Sequence, residues 1–354
     1  MNGGRVTPSE DFAAKVIAWQ RMHGRQNLPW QNTRNPYRIW LSEIMLQQTQ
    51  VGAVIPYYER FLARFPDLVT LAHAAEDDVL RLWAGLGYYA RARNLHRAAR
   101  AIVQAGGAFP QCYDAVADLP GVGCSTAAAI CAFAFGARRA ILDGNVKRVL
   151  ARSFGVEGYP GERRVEQMLW ALAESLLPGA DIEAYTQGLM DLGASICVRR
   201  APRCGICPLR GACVAYRDQR TDALPTPRPS KLLPQRETTL VALCKDGAVL
   251  LEKRPAPGIW GGLWCLPEID ASRLRETCLA RFGAQVAQAQ PLATIEHGFT
   301  HFRLRIHPLL VFVSIPASVD EPGRLWLRPE DAVTAAVPVP VRKILAGLAR
   351  DLTT

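Results

Sequence analysis

Cys197, Cys204, Cys207 and Cys213 are spaced C-x6-C-x2-C-x5-C, close enough to close round one metal centre. Whatever else the chain does, its flanking segments must fold around that point. Zinc sites usually pair two short C-x2–4-C hooks, and here only Cys204 and Cys207 form one. The longer x6 and x5 loops suit a larger, cubane-like [4Fe–4S] cluster. A zinc knuckle and buried structural thiols are the other readings of the spacing. The remaining cysteines (Cys112, Cys124, Cys131, Cys244, Cys265 and Cys278) are scattered, which fits packing better than ligation. Met1 to Glu10 has no apolar run, so no signal peptide is expected and a disulfide framework is disfavoured.

The chain has 354 residues, enough for two or three domains. Residues 11–215 read as almost entirely helical: apolar side chains recur at three- and four-residue steps, as at Phe12, Val16, Trp19 and at Ile39, Trp40, Ile44. Between 216 and 235, Pro225, Pro227, Pro229 and Pro234 alternate with Arg and Lys, a composition that favours an extended, solvated connector. Short β-like runs follow at Thr238–Cys244, Ala248–Glu252 and His301–Val313, with a helical pattern at Ser272–Phe282. The expected fold is multidomain: an all-α N-terminal domain, a linker and a smaller α+β C-terminal domain. No stretch is apolar enough to span a membrane. A net charge of +10 suits an acidic partner, of which nucleic acid is the commonest.

Leu119-Pro120-Gly121-Val122-Gly123 sits between two helical patterns. Two glycines one residue apart allow positive φ and a close backbone approach. The helix expected to start near Ser125 would aim free N–H groups at an anion, and a phosphate suits that place. Two carboxylates stand out for their settings. Glu43 lies within Ile39-Trp40-Leu41-Ser42-Glu43-Ile44-Met45-Leu46, where burial would favour the protonated acid, although periodicity alone fits an exposed helix face. Asp143, in Ile141-Leu142-Asp143-Gly144-Asn145, reads as a helix N-cap.

With the cysteine spacing behind a helical domain, the hairpin resembles that of the endonuclease III and MutY branch of helix-hairpin-helix DNA glycosylases. Trp40 to Val51 and Ile141 to Arg152 closely match MutY-type adenine glycosylases. The resemblance implies an all-α catalytic domain at 1–215. This divides into a six-helix module at about 31–140 and a cluster module made of 1–30 and 141–215, followed by the linker at 216–235. In that family the cluster is structural and shapes a basic loop, for which Arg199, Arg200, Arg203 and Arg210 would supply charge here. Glu43 is then the acid that protonates adenine, at N7, and Asp143 the carboxylate that stabilises an oxocarbenium-like sugar, with Asn145 holding the sugar or water. Leu119, Gly121, Val122 and Gly123 hold the DNA backbone. The resemblance makes Gln47, Gln48 and Tyr88 the wedge that fills the gap left by a flipped base, chiefly Gln48 and Tyr88. It draws the adenine pocket from Arg25, Trp30, Val51 and Gln187, whose amide can pair with adenine N6 and N7. Bifunctional relatives carry a lysine where this chain has Ser125, so base removal without an obligatory strand cut is expected. Lys147 remains able to trap an abasic sugar adventitiously. The role of Ser125 at the substrate stays open, and Cys124, often basic in relatives, points to a missing phosphate contact.

Residues 236–354 resemble a Nudix fold through Gly258-Ile259-Trp260-Gly261-Gly262-Leu263-Trp264-Cys265-Leu266-Pro267-Glu268. The acidic pair needed beyond Glu276 reads Leu279-Ala280, so pyrophosphate hydrolysis is not expected. Phe299-Thr300-His301 resembles the loop by which MutY C-terminal domains recognise 8-oxoguanine. Thr300 is placed to bond the altered edge, while Phe299 and His301 pack or reach phosphate. The expected substrate is double-stranded DNA with A:8-oxoG or A:G mispairs, bound by a monomer on the bacterial chromosome in the cytoplasm. A bifunctional endonuclease III-like glycosylase/lyase, a Nudix hydrolase and a non-catalytic iron–sulfur DNA-binding protein are the alternatives.

Overall fold

The structure, a computed structural model, describes residues 8–229, 232–314 and 321–351. Met1–Thr7 of the N-terminal stretch, and Ser230 and Lys231 of the expected connector, lie outside the described residues. The chain forms two compact units, one of residues 1–72 and 97–230, the other of 73–96 and 231–354. The second unit thus takes in 73–96, which the sequence pattern groups with the helical domain.

The helices run α1 (Pro8–His23), α2 (Pro36–Leu46), α3 (Val51–Arg64), α4 (Leu68–His73), α5 (Glu76–Trp83), α6 (Ala90–Gln104), α7 (Tyr113–Ala117), α8 (Cys124–Phe135), α9 (Gly144–Phe154), α10 (Arg163–Ser175), α11 (Ile182–Asp191) and α12 (Val214–Arg217). In the first unit, α8 is the central strut. Its alanines and Ile130 are buried all round, as expected of an apolar helix without a polar face. On it packs α2, which starts at an Asn35 cap accepting from Arg38 N at 3.2 Å and buries Tyr37, Ile39, Trp40, Leu41, Ile44 and Met45. Ser42, buried among them, satisfies its hydroxyl on the Ile39 carbonyl at 2.7 Å. A further core joins α1, α9, α10 and α11 through Val16, Val146, Leu150, Leu169 and Leu189. A π-helical turn, Leu192–Ile196, leads from α11 into the four-cysteine loop.

The expected extended connector needs correcting at its start. Tyr216 and Arg217 belong to α12, Arg220 pairs with Glu157 at 2.6 Å, and Leu224 is buried with its carbonyl bound by Arg152 at 2.7 Å. Apolar anchors among the prolines pull this part onto the first unit.

In the second unit the strands are β1 (Gln235–Lys245), β2 (Ala248–Lys253), β3 (Trp264–Cys265), β4 (Gln285–Pro291), β5 (Ile295–Gly298), β6 (Arg303–Ser314) and β7 (Arg324–Leu327), with α13 (Leu274–Phe282), α14 (Pro329–Ala332) and α15 (Val339–Asp351). The sheet order is β3-β2-β1-β6-β4, with β5 also on β6 and β7 on β2. β1 and β6 pair in parallel from Gln235↔Arg303 to Cys244↔Phe312. β1 turns into β2 through Asp246 and Gly247, both at positive φ, the geometry of a tight hairpin. Cys278 of α13 packs under Val241, Leu243 and Val311. Glu276 is held by Arg273 at 2.7 Å, and Leu279 and Ala280, standing where a Nudix hydrolase needs acids, are exposed. β4 is too polar, and the four-residue β5 and β7 are too short, for the sequence pattern to reveal them.

Candidate active site

A cavity of about 730 Å³ opens in the first unit. Arg25, Trp30, Glu43 and Gln187 line it, together with Ile39, Ser42 and Phe133. Val51, the first residue of α3, is half-buried but not on its wall. Trp30 is held edge-on against Tyr58, with ring centroids 5.3 Å apart.

Glu43 reaches the cavity from the otherwise apolar face of α2. Burial, and after it the Asp143 carboxylate, push its carboxyl up to about 8. It therefore holds a proton at neutral pH, which is what an acid for a leaving base requires. Asp143 caps α9, accepting from Val146 N at 2.8 Å. Burial raises its carboxyl too, but the Val146 and Asn145 N–H groups and the Arg148 charge act the other way. The two carboxylates thus feel each other, and the charge sits better on Asp143, where backbone donors and a cation face it.

Asn145 lies beside it, donating to Asp143 Oδ2 at 3.4 Å. Arg148 holds this pair from behind, donating to Asn145 Oδ1 at 2.8 Å, Gly193 O at 2.6 Å and Cys197 O at 2.6 Å. Gly193 has no room for a side chain: a Cβ there would stand 2.4 Å from Asn145 Cβ. The π-helical turn is therefore pressed against the start of α9.

The cysteine pattern did not single out Asp191. It is buried at the end of α11 and accepts from Arg25 N at 2.8 Å, Arg25 Nε at 2.6 Å and Gln187 Nε2 at 2.8 Å. One carboxylate so fixes two cavity residues, and it commits one amide hydrogen of Gln187. Its sequence signal was only an acid four residues beyond Gln187, on the same helix face.

The hairpin is closed by Val122 N donating to Leu119 O at 3.0 Å, with Gly121 at φ +82° and Gly123 capping α8. Gln47 donates to Gly121 O and Thr126 Oγ1, both at 3.3 Å, and so touches the hairpin. Gln48 is exposed at φ +57°. Ser125 Oγ accepts from Leu142 N at 2.9 Å, tying the start of α8 to the Asp143 loop. Lys147 is paired with Glu166 at 2.6 Å. Tyr88 belongs to the second unit, at φ +51° and 44 % exposed, with Arg91 over its ring. In the same unit lies the Phe299–His301 loop, with Thr300 and His301 exposed and Phe299 half-buried.

All four clustered cysteines line one hollow, with Arg152 beside them and its Nη1 3.4 Å from Cys197 Sγ. Among the described residues no group of three or more His, Cys, Asp or Glu is placed to hold a metal ion. Four thiols lining one hollow are a donor set that soft metals and iron–sulfur clusters take.

Residues 41–175 match the HhH-GPD superfamily of base excision DNA repair proteins, and residues 238–347 match the NUDIX domain. The chain is 34 % identical to the adenine DNA glycosylase of Buchnera aphidicola subsp. Acyrthosiphon pisum, over 96 % of this chain and 98 % of that one. With the human adenine DNA glycosylase it shares 32 % identity, over 94 % of this chain and 73 % of that one. The chain belongs to the adenine DNA glycosylase family. Among solved structures, a thermostable thymine-DNA glycosylase matches 59 % of this glycosylase and 97 % of its own chain, with a TM-score of 0.54 and 33 % identity. Endonuclease III in a non-covalent DNA complex shares the fold, at a TM-score of 0.51 and 20 % identity, over 60 % of this chain and 98 % of its own. The glycosylase therefore combines a base-excision repair domain with a Nudix-type domain. Among its described residues no helix is long and apolar enough to cross a membrane.

Proposed function

We propose that this adenine DNA glycosylase removes adenine mispaired with 8-oxoguanine or guanine, by flipping the base into the Glu43 cavity. The carrying observation is a carboxyl that keeps its proton to about 8 on the wall of a cavity, beside a second carboxylate held by donors. Glu43 donates that proton to adenine N7, turning the base into a neutral leaving group. Asp143, with Asn145 steadied by Arg148, faces the positive charge that grows on the sugar as the bond lengthens. Gln187 and Arg25, set by Asp191, orient the base. Gln48 and Tyr88 act as the wedge, and the backbone of the Leu119–Gly123 hairpin takes phosphate.

Water completes the hydrolysis without a protein amine. Ser125 stands where a lyase carries lysine, and Lys147 is occupied by Glu166. Cys197, Cys204, Cys207 and Cys213 would hold a [4Fe–4S] cluster. Bound there, it would cross-link the loop that carries Arg199, Arg200, Arg203 and Arg210, a structural contribution. Thr300 and His301, at the exposed tip of their loop, read the base opposite adenine.

The test is cleavage of duplexes bearing A:8-oxoG, A:G, A:C and A:T, with and without alkali. Adenine release from the first two, with strand scission only after alkali, is expected. Absence of release from A:8-oxoG refutes the substrate, alkali-independent scission refutes monofunctional action, and undiminished activity in Glu43→Gln refutes the acid.

A further inference from the structure

The loop that carries Thr300 and His301 does not stand alone. Phe299 N donates to Phe302 O at 2.9 Å, closing it as a tight turn. The rings of Phe299 and Phe302 stack, with centroids 4.4 Å apart and planes within 18°. Phe302 is fully buried, so Phe299 is anchored in the protein rather than free to enter a base stack. Trp260 closes this aromatic group from the other side, 5.9 Å from Phe299 and 6.0 Å from His297.

Trp260 is itself an oddity. It is buried and sits at φ +56°, a left-handed conformation that costs a bulky residue free energy and persists only where its surroundings fix it. One such fixture is the next carbonyl, since Arg93 Nη1 donates to Gly261 O. Gly262, at φ +80°, lies against Leu80 and Arg93, its Cβ position 3.5 Å and 3.6 Å from them. Segment 73–96 is fastened again where Asp77 takes Lys253 at 2.7 Å and Trp264 Nε1 at 3.3 Å. That same segment carries Tyr88.

We propose that Arg93 and Trp260 are positioning residues for mispair discrimination, which lock the Thr300–His301 tip in a fixed place relative to Tyr88. The inference rests on the reading of that tip as the sensor of the opposite base. A base contacted on one side by Tyr88 and on its edge by Thr300 is recognised only if the two are held at one spacing. The Arg93–Gly261–Trp260–Phe299 chain sets that spacing without touching DNA. A loosened chain leaves chemistry at Glu43 intact but makes recognition of the 8-oxo edge pay for ordering the loop.

The experiment measures single-turnover adenine release from A:8-oxoG and A:G duplexes with enzyme in excess of DNA, at subsaturating and saturating concentrations, for Arg93→Ala, Trp260→Leu, Trp260→Phe and Thr300→Ala. Arg93→Ala and Trp260→Leu are expected to lower the A:8-oxoG over A:G preference about tenfold, by weakening binding of A:8-oxoG while the saturated A:G rate is kept. Trp260→Phe, which keeps a ring against Phe299, restores most of the preference. Equal losses on both substrates, or an unchanged preference in Arg93→Ala and Trp260→Leu, would overturn the proposal. If either variant fails to fold, the Trp260→Phe and Thr300→Ala preferences decide: a Trp260→Phe protein as unselective as Thr300→Ala overturns it. If Thr300→Ala itself leaves the preference intact, the sensor reading fails. If Thr300→Ala lowers the preference and Arg93→Ala does not, only the positioning inference fails.

Discussion

Glu43 carries opposite demands in one side chain. Its carboxyl is raised from 4.5 to about 8 by burial and by Asp143. Since the protonated form donates to adenine, the single-turnover rate should fall as pH rises through about 8. A rate that stays level from pH 7 to pH 10 would exclude Glu43 as the acid. The same shift has a stability consequence. A carboxyl with a folded pKa above its unfolded value favours the native state at low pH, and this is lost as pH climbs from about 4.5 through about 8. Glu43→Gln, which cannot ionise, should therefore lack activity yet melt at a higher temperature than the parent at pH 8, with the gap closing near pH 5. Asp191 predicts the reverse kind of variant. Asp191→Ala leaves Arg25 without its carboxylate and frees the Gln187 amide. It should cost about 3 kcal/mol in a urea melt and weaken binding of an uncleavable adenine duplex.

At the scale of elements, the sequence pattern was most legible where periodicity and spacing are long. The helices about Glu43 and Asp143, the hairpin and the four-cysteine loop stand close to where their residue patterns place them. Asp191 was not legible, because a buried acid at a helix end looks like any exposed one until its partners, far off in sequence at Arg25, are known. The hairpin contact of Gln47 with Gly121 is hidden for a related reason: it is tertiary. The connector hid Leu224 among prolines, whose composition speaks of solvation while one apolar side chain decides otherwise. The π-helical turn was equally invisible, although it brings Gly193 under Asn145. Gly193→Ala must push that turn off α9. A loss of about 1–3 kcal/mol is expected, together with a lower adenine-release rate at saturating DNA, since Asn145 and Arg148 are displaced together. A stability loss with an unchanged rate would show that the contact matters to packing alone.

For the whole molecule, the division into units departs most from the linear order. Residues 73–96 lie between helices of the first unit yet cluster with strands that begin beyond 231. Cutting the chain in the connector therefore removes the strands with which this segment clusters. A chain ending at 229 keeps α5, whose Val79, Leu80 and Trp83 are buried in the full protein, but loses the Gly262 and Lys253 region that packs on this segment. Limited proteolysis of that shortened chain should cut first within 73–96, at sites resistant in the full protein; an unchanged cleavage pattern would contradict the assignment of this segment.

The order of synthesis gives the same feature another meaning. On the ribosome, α5 emerges well before β2 and the Trp260 turn exist. Until they arrive it is a short amphipathic helix with nothing to cover it from the C-terminal side. A contact such as Arg93 to Gly261 spans 168 positions in the chain and must wait for nearly the entire polypeptide, a closure that slows folding more than it weakens the folded state. Segment 73–96 is thus captured late, after the first unit's own helices have been made.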